Sequence, residues 1–327
     1  MKKLKILIQT FLIVVVISLP VQSQVKKVAQ TGLQFLKIDV GARASSLAGA
    51  MTLAGYDANA VFYNPAGIGR MDKKLDVMFN NTQWIADIKY NSVAVAYTLE
   101  DIGTFALQGL FADYGDIVGT RVAGNEQGYI TTGNIDVNAL SVGLSYARNL
   151  SEKFTIGGTV KYVSQSLGNN LMPDGSTKDN KVSGAAFDFG TIYYPGWKSL
   201  RFGFSVRNFA KEFEYEKESF ELPLTFNIGV AMNVFDLVDI NNQSLLVSID
   251  AVHPRDYSER VKLGAEYILL DMVALRVGYK TNHDIEGLSA GLGLFYTIAD
   301  VDVKVDYSYS TMEYFDAVNR FTVGFSF

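Results

Sequence analysis

Apolar and polar side chains alternate over strand-length segments along most of the chain. The clearest such segment is residues 317–327, at the C-terminus. One set of alternate positions is apolar: Phe321, Val323, Phe325 and Phe327. The other set is polar or small: Arg320, Thr322, Gly324 and Ser326. Because neighbouring side chains of a β-strand point to opposite faces, the segment predicts a strand with one apolar and one polar face.

About fourteen segments of this kind follow one another, an even number as in single-chain outer-membrane barrels. They cover residues 74–85, 88–99, 103–113, 135–148, 153–166, 181–194, 200–209, 223–234, 243–253, 257–268, 271–280, 287–297, 300–310 and 317–327. Segments of roughly 10 to 14 residues fit a tilted crossing of the hydrocarbon layer. The pattern therefore predicts an all-β fold, a transmembrane antiparallel β-barrel whose apolar face meets lipid and whose polar face lines the lumen.

The connections between these segments differ in length in a regular way. The three longest connections, residues 114–134, 167–180 and 210–222, are all odd-numbered junctions, whereas the even-numbered junctions are mostly brief. Outer-membrane barrels alternate short periplasmic turns with longer outer loops. The sorting of loops therefore favours a barrel over a soluble sandwich or propeller, and it returns the C-terminus to the periplasm.

The N-terminus has the composition of an export signal. Three lysines within the first five residues precede an apolar stretch that ends at Leu19, and a small-residue exit follows at residues 21–23. The stretch is shorter than the about 20 apolar residues that a transmembrane helix needs. We therefore expect a signal peptide at residues 1–23 that is cleaved on export, and a protein that resides in the cell outer membrane.

Composition narrows the function classes. Aromatic residues make up 13% of the chain, which suits strands and the aromatic girdles of a membrane barrel. The formal net charge of −5 offers no basic surface, so no nucleic-acid partner is expected. The chain has no cysteine, which excludes disulfides, thiolate metal sites and thiol catalysis.

Residues 24–72 do not show the alternation of apolar and polar side chains that predicts the strands. The run 41–51 is rich in Ala and Gly, and Asn64-Pro65-Ala66-Gly67 closes a second small-residue run. Small side chains allow close backbone packing, and proline forces an extended or turn conformation on the residue before it. We therefore predict a small plug or hatch containing short helix at residues 24–72, followed by the barrel at residues 73–327.

The same N-terminal region resembles a known family. The runs Gln34-Phe35-Leu36-Lys37, Gly41-Ala42-Arg43-Ala44 and 57–67 are similar to the N-terminal signature of the PorV/PorQ family, within the FadL-like group of fourteen-stranded outer-membrane barrels. At Gly55-Tyr56 the family more often has a pair such as Ala-Asp. The resemblance covers about 35 residues; beyond them it depends on length, strand count and the terminal Phe.

The resemblance implies a role in the type IX secretion system, as a component that binds or shuttles exported cargo and passes it to an attachment complex. Partners would then be outer-membrane lipid, type IX cargo proteins and attachment-complex subunits. The more distant FadL relatives imply an alternative, a channel that admits hydrophobic small molecules past a hatch, with a hydrophobic ligand in the lumen. Asn64, Pro65, Ala66 and Gly67 would form that hatch. Composition and spacing do not separate the two roles.

One loop stands out as a candidate surface for a partner. Residues 211–221 alternate acids with aromatics, and we expect Phe213, Tyr215 and Phe220 to form a partner-contact loop above the membrane, with a solvated hairpin tip as the plainer alternative. A set of charged residues falls on the inner face of the predicted strands and is expected to pair with one another, with the plug or with water, with a polar permeation path as the functional alternative. The set is Lys161, Arg207, Arg260, Lys262, Glu266, Arg276, Lys280, Asp302, Lys304, Asp306 and Arg320.

No catalytic centre is expected. The chain has two histidines, His253 and His283, both in predicted outer loops. A Ser-His-Asp set would need a serine oriented by the same rigid wall, and the two histidines are not at metal-binding spacing. We expect no enzyme activity, no metal and no cofactor.

Overall fold

The computed structural model describes residues 30–172, 174–238, 240 and 242–327. The predicted signal peptide lies outside these residues. The strands are β1 Leu75–Gln83, β2 Lys89–Leu99, β3 Gly103–Asp113, β4 Ile117–Val122, β5 Tyr129–Ile135, β6 Val137–Ser151, β7 Phe154–Leu171, β8 Thr177–Tyr193, β9 Arg201–Phe209, β10 Phe213–Tyr215, β11 Glu218–Phe220, β12 Thr225–Asn233, β13 Gln243–Pro254, β14 Arg260–Leu269, β15 Val273–Lys280, β16 Glu286–Ile298, β17 Val301–Met312 and β18 Val318–Ser326.

Fourteen of these strands form a closed antiparallel barrel. Each pairs with its neighbours along the chain, and β1 closes the circle against β18, with Val77 opposite Phe325. The predicted fold class is confirmed, and most strand ends lie within three residues of the prediction. The main difference is at β7 and β8, which extend to Leu171 and from Thr177. The predicted loop 167–180 is therefore mostly strand, because the two strands continue to pair beyond the expected membrane boundary.

The barrel wall has an apolar outside and a polar inside. In β18, Phe321 and Val323 are exposed, whereas the alternate residues Arg320, Thr322 and Ser326 are each 1% exposed. A soluble β-protein buries the apolar face instead. This inverted arrangement is the one that a lipid environment stabilises, and it places the protein in the outer membrane.

Short and long loops lie at opposite ends of the barrel, as predicted. The short connections β2–β3, β6–β7, β14–β15 and β16–β17 lie at the end of the barrel that holds the C-terminus, where the Leu75 and Phe327 backbones bond to each other. The opposite end carries the two longest connections, and each holds a small hairpin: β4–β5 and β10–β11. We refer to these two ends as the periplasmic and the outer end.

The lumen contains the segment from residue 31 to residue 71, which we call the plug. It holds one α-helix, α1 Ala42–Ser46, and three 3-10 helices, Gln34–Lys37, Ala58–Phe62 and Pro65–Arg70. Two further 3-10 turns, Ile85–Asp87 and Val234–Leu237, lie in connections. No helix among the described residues is both long enough and apolar enough to cross a membrane.

The plug runs from the outer end to the periplasmic end. Thr31 forms a parallel bridge with Glu221, just before β12, and its hydroxyl donates to Asp256 in the outer β13–β14 loop at 2.8 Å. At the other end, the Lys74 amide donates to the Phe327 carbonyl at 2.9 Å. The chain therefore crosses the lumen once before the first strand begins.

Candidate functional site

Glycines in the barrel wall make room for the plug. Three pairs of glycines lie directly opposite each other on adjacent strands: Gly157 with Gly190, Gly203 with Gly229, and Gly264 with Gly278. A Cβ atom on any of these six would collide with another atom; the nearest atoms are in the plug at all but Gly229, where the wall carboxylate of Asp250 lies closest. At Gly157 it would lie 2.5 Å from the Ala66 backbone nitrogen. Close packing between plug and wall therefore requires glycine at these positions.

The neighbouring glycines Gly157 and Gly158 allow a direct test of this fit. Gly157 faces the plug, and Gly158 faces lipid, where the nearest atom to an added Cβ is 3.6 Å away. We expect G157A to lower the free energy of unfolding by about 1–3 kcal/mol through overpacking. G158A should change it by less than about 0.5 kcal/mol. Urea unfolding of the two variants in lipid vesicles checks this, and equal values would show that the plug does not fill this space.

The predicted hatch motif lies within the plug and bonds to the wall. The Asn64 side chain caps the helix Pro65–Arg70 by accepting from the Ala66 amide at 3.1 Å. Its Nδ2 donates to the carbonyls of Thr52 at 2.8 Å and Thr191 at 3.2 Å. Asn64, Pro65, Ala66 and Gly67 are all buried. The motif thus joins two parts of the plug to β8, and a gating role for it stays a prediction.

A chain of buried charges joins α1 to the wall. Arg43 donates to Glu266 from Nε at 2.8 Å and from Nη2 at 2.7 Å. On the other side of Glu266, Arg276 donates to it at 2.5 Å and to Asp306 at 2.6 Å. Arg276, Glu266 and Asp306 lie on three different strands, so the chain of ion pairs ties β14, β15 and β17 to the plug.

A second cluster holds the outer part of the plug. The Asp39 carboxylate accepts from Lys280 at 2.7 Å, and its other oxygen lies 3.7 Å from Lys262. The Asp39 carbonyl accepts from Arg320 Nε at 3.2 Å. Burial alone would raise the pKa of Asp39, but the positive charges of Lys262 and Lys280 outweigh burial and hold this pKa below its usual range. The prediction that inward charges join wall and plug is confirmed for these residues.

The hairpin β10–β11 lies across the outer mouth with aromatic side chains turned inward. Phe213 is 6% exposed and packs against Gly184, while Phe220 packs against Gly32 of the plug. Tyr215 stacks on Phe220 and donates to the Gln165 carbonyl at 3.3 Å. The expected hairpin is present, but Phe213 is buried rather than offered to a partner. Contact with a partner through this loop stays a prediction.

Both histidines lie at the outer end, but only His283 is in a loop as predicted, because β13 extends past His253, which pairs with Phe226 of β12. His253 is exposed and lies 3.1 Å from Glu259. His283 is half-buried, and its Nδ1 accepts from the Glu286 amide at 2.9 Å. Burial lowers the pKa of His283 to about 4, so the ring is neutral at pH 7. In the part of the chain that the structure describes, no group of three or more His, Asp or Glu residues is placed to hold a metal ion.

The fold and the filled lumen define the class of this protein, a fourteen-stranded outer-membrane β-barrel with an N-terminal plug. The sequence of residues 48–325 matches the family model of the type IX secretion system membrane protein PorP/SprF. The chain therefore belongs to the PorP/SprF family. The resemblance to PorV/PorQ pointed to the right secretion system, but the family that matches is a different one within it. No curated protein matches the sequence.

Solved structures share the barrel. The Pseudomonas putida toluene transporter TodX aligns with a TM-score of 0.57 at 12% identity, over 88% of this chain and 96% of that one. The CymD monoaromatic hydrocarbon channel aligns with a TM-score of 0.55 at 13% identity, over 91% and 99%. A Pseudomonas aeruginosa FadL homologue gives 0.53 at 12%, over 89% and 98%. These likenesses establish a FadL-like fold and nothing about a ligand.

Proposed function

We propose that this protein acts in type IX secretion as a cargo-binding or shuttle component of the outer membrane, and that it does so with its lumen closed. Its partners are then exported proteins and subunits of an attachment complex, reached through the outer loops or the periplasmic end. A PorV-like handling of cargo is part of this proposal. The role is not enzymatic.

The observation that carries the proposal is the number of bonds that fix the plug. The Ala42 amide donates to Thr322 at 2.8 Å, and the Thr52 amide donates to Asp250 at 3.0 Å. The side-chain amides of Asn59 and Asn80 form two hydrogen bonds of 3.0 Å, in which each Nδ2 donates to the Oδ1 of the other residue. Together with the two charge clusters and the glycine contacts, these hydrogen bonds attach the plug to strands around most of the barrel wall. A conduit would have to break many of them at once.

The alternative, a channel for hydrophobic small molecules, draws support from the FadL-like fold alone. An internal space of about 400 Å³ opens beside the plug at the outer end, and its lining includes Arg260, Lys262, Lys280 and Glu286. An uncharged hydrophobic solute gains little in a site with this many charges, because the charges would lose hydration and the solute would pair with none of them. The lining therefore favours the secretion role.

A deletion strain tests the proposed role. Proteomes of the cell surface and of the periplasm are compared between wild type, the deletion and the deletion complemented with the gene. We expect one or more proteins with a type IX C-terminal signal to move from the surface to the periplasm in the deletion and to return on complementation. If the deletion strain distributes such proteins as the wild type does, while the wild type makes a normal amount of this barrel protein, the role is contradicted.

A further inference from the structure

The cavity at the outer end of the lumen combines an aromatic side with a cationic side. It lies between the start of the plug and strands β14, β15 and β16, and its volume is about 400 Å³. Its aromatic lining consists of Phe35, Trp84, Tyr90, Tyr114 and Tyr257. Its cationic lining consists of Lys37, Arg260, Lys262 and Lys280. A volume of this size accommodates a small organic molecule.

The four cations differ in how well they are paired. Lys37 contacts Asp256 at 2.8 Å, and Lys280 contacts both Asp39 and Glu286. In contrast, within the described part of the chain Arg260 has no hydrogen bond and no ion pair; its guanidinium lies over the Tyr257 ring, 4.5 Å from the centroid. Its Nε is buried and has no hydrogen-bond partner among the residues that the structure describes. A buried guanidinium donor without an acceptor is costly, and an anion would satisfy it.

Lys262 is the second cation that is only weakly paired. Its nearest acceptors are the Gly49 carbonyl at 3.5 Å and Asp39 at 3.7 Å, both longer than a good charged hydrogen bond. Arg260 and Lys262 are two residues apart on β14, so their side chains point to the same face of the strand. One small anion can therefore lie against both.

The acids of the same wall limit the charge of that anion. Asp39, Asp284 and Glu286 also line the cavity and would repel a doubly charged group such as phosphate. A carboxylate carries one charge, and its planar pair of oxygens matches the fork of a guanidinium. The aromatic side chains opposite would cover an apolar body attached to the carboxylate.

We propose that this cavity binds a small carboxylic acid with an aromatic or aliphatic body, held by Arg260 and Lys262. The carboxylate accepts hydrogen bonds from both side chains, and the body lies against Phe35, Trp84 and Tyr90. This site is separate from the proposed role in secretion, and neither depends on the other.

The cavity adjoins a space that extends to the outer loops. This neighbouring space of about 350 Å³ shares Lys280, His283 and Met312 with it and extends to Asn282 and Glu313. Nearby, the pairing of β16 with β17 is irregular, between Glu286 and Ser289. Entry of a small acid through this space would leave α1 and the hatch in place.

Calorimetric titration of the full-length barrel in a neutral maltoside detergent tests the site. The probe is 3-phenylpropionate, and its uncharged match is 3-phenylpropionamide. N-acetyl-phenylalanine, which presents its carboxylate as a peptide end does, is titrated separately to distinguish a free acid from a chain terminus. We expect saturable binding of 3-phenylpropionate and no binding of the amide.

Variants assign the binding to the two cations. R260Q and K262M should each weaken 3-phenylpropionate binding by about tenfold or more, because each removes a charged hydrogen bond. The matched control is R255Q, since Arg255 is a nearby outer-loop arginine that pairs with Glu221 at 2.9 Å and does not line the cavity. R255Q should bind as the wild type does. Equal binding of acid and amide, unchanged binding in both R260Q and K262M, or no saturable heat would overturn the proposal.

Discussion

Replacing Arg276 with glutamine (R276Q) is expected to lower the free energy of unfolding by about 3–5 kcal/mol. The Arg276 side chain is fully buried and is the shared partner of Glu266 and Asp306. Glu266 would keep Arg43, but no other cation within ion-pair distance of Asp306 is found among the described residues. The substitution therefore leaves a buried carboxylate without a counter-charge. Urea unfolding in lipid vesicles measures the loss.

Two further variants show whether charge pairing causes this loss. R148Q removes an exposed arginine whose bond, to the Asp101 carbonyl, is 3.2 Å long, and it should change the free energy of unfolding by less than about 0.5 kcal/mol. The double variant R276Q/D306N removes the unpaired acid and should be more stable than R276Q alone. If the double variant is no more stable than R276Q, an unpaired Asp306 is not what destabilises the single variant.

Replacing Asp39 with asparagine (D39N) is expected to have the second largest effect, a loss of about 3 kcal/mol at pH 7. The change removes the carboxylate between Lys262 and Lys280 and so loosens the outer half of the plug. D302N is a matched control, because the ion pair of Asp302 with Lys73 is partly exposed to solvent and contributes about 0–1 kcal/mol. Urea unfolding of both variants gives the comparison.

The effect of D39N has a defined pH dependence. Asp39 lies in the plug, outside the strands, and the folded protein holds its pKa below the usual value near 3.8. A carboxylate with a lowered pKa contributes its full stabilisation above the unfolded pKa and loses it as the pH falls through the folded pKa. The difference between wild type and D39N should therefore be constant from about pH 5 to pH 8 and shrink only in stronger acid. A difference that disappears between pH 8 and pH 5 would contradict the assigned ion pairs.

The strands could be predicted from the sequence because the signal for each is local. Alternation in residues 300–310 and 317–327 marks β17 and β18 without reference to any other part of the chain. The loop lengths then supplied the orientation. Two strand boundaries were wrong by the widest margin, the end of β7 and the start of β8. They follow from pairing of β7 with β8 beyond the membrane, which no membrane-length rule anticipates.

The contacts of the plug could not be predicted, because they join residues that are far apart in sequence. Asp39 and Lys280 are 241 positions apart. The three glycine pairs lie opposite each other only because of the strand register, which the sequence does not give. Composition indicated that residues 24–72 pack closely, but not against which strands. The inward turn of Phe213 was missed for the same reason: alternation in a short hairpin does not tell which face meets the lumen.

The proposed role requires that the protein works with its plug fixed in a closed lumen, and a reversible crosslink between plug and wall tests this requirement. Ser45 of the plug and Ser310 of β17 are buried, with their hydroxyls 2.9 Å apart, and the chain has no cysteine of its own. The double variant S45C/S310C should form a disulfide in the oxidising periplasm. The control crosslink S145C/T159C replaces wall residues of β6 and β7 whose hydroxyls are 2.7 Å apart, and it leaves the plug free.

The measurement is the share of type IX cargo at the cell surface in the deletion strain complemented with each crosslinked variant, with disulfide formation verified by mobility on non-reducing gels. We predict that S45C/S310C restores surface cargo to the wild-type level, equal to S145C/T159C. Accumulation of cargo in the periplasm with S45C/S310C alone, relieved by a reductant, would show that the plug must move and would contradict secretion with a closed lumen.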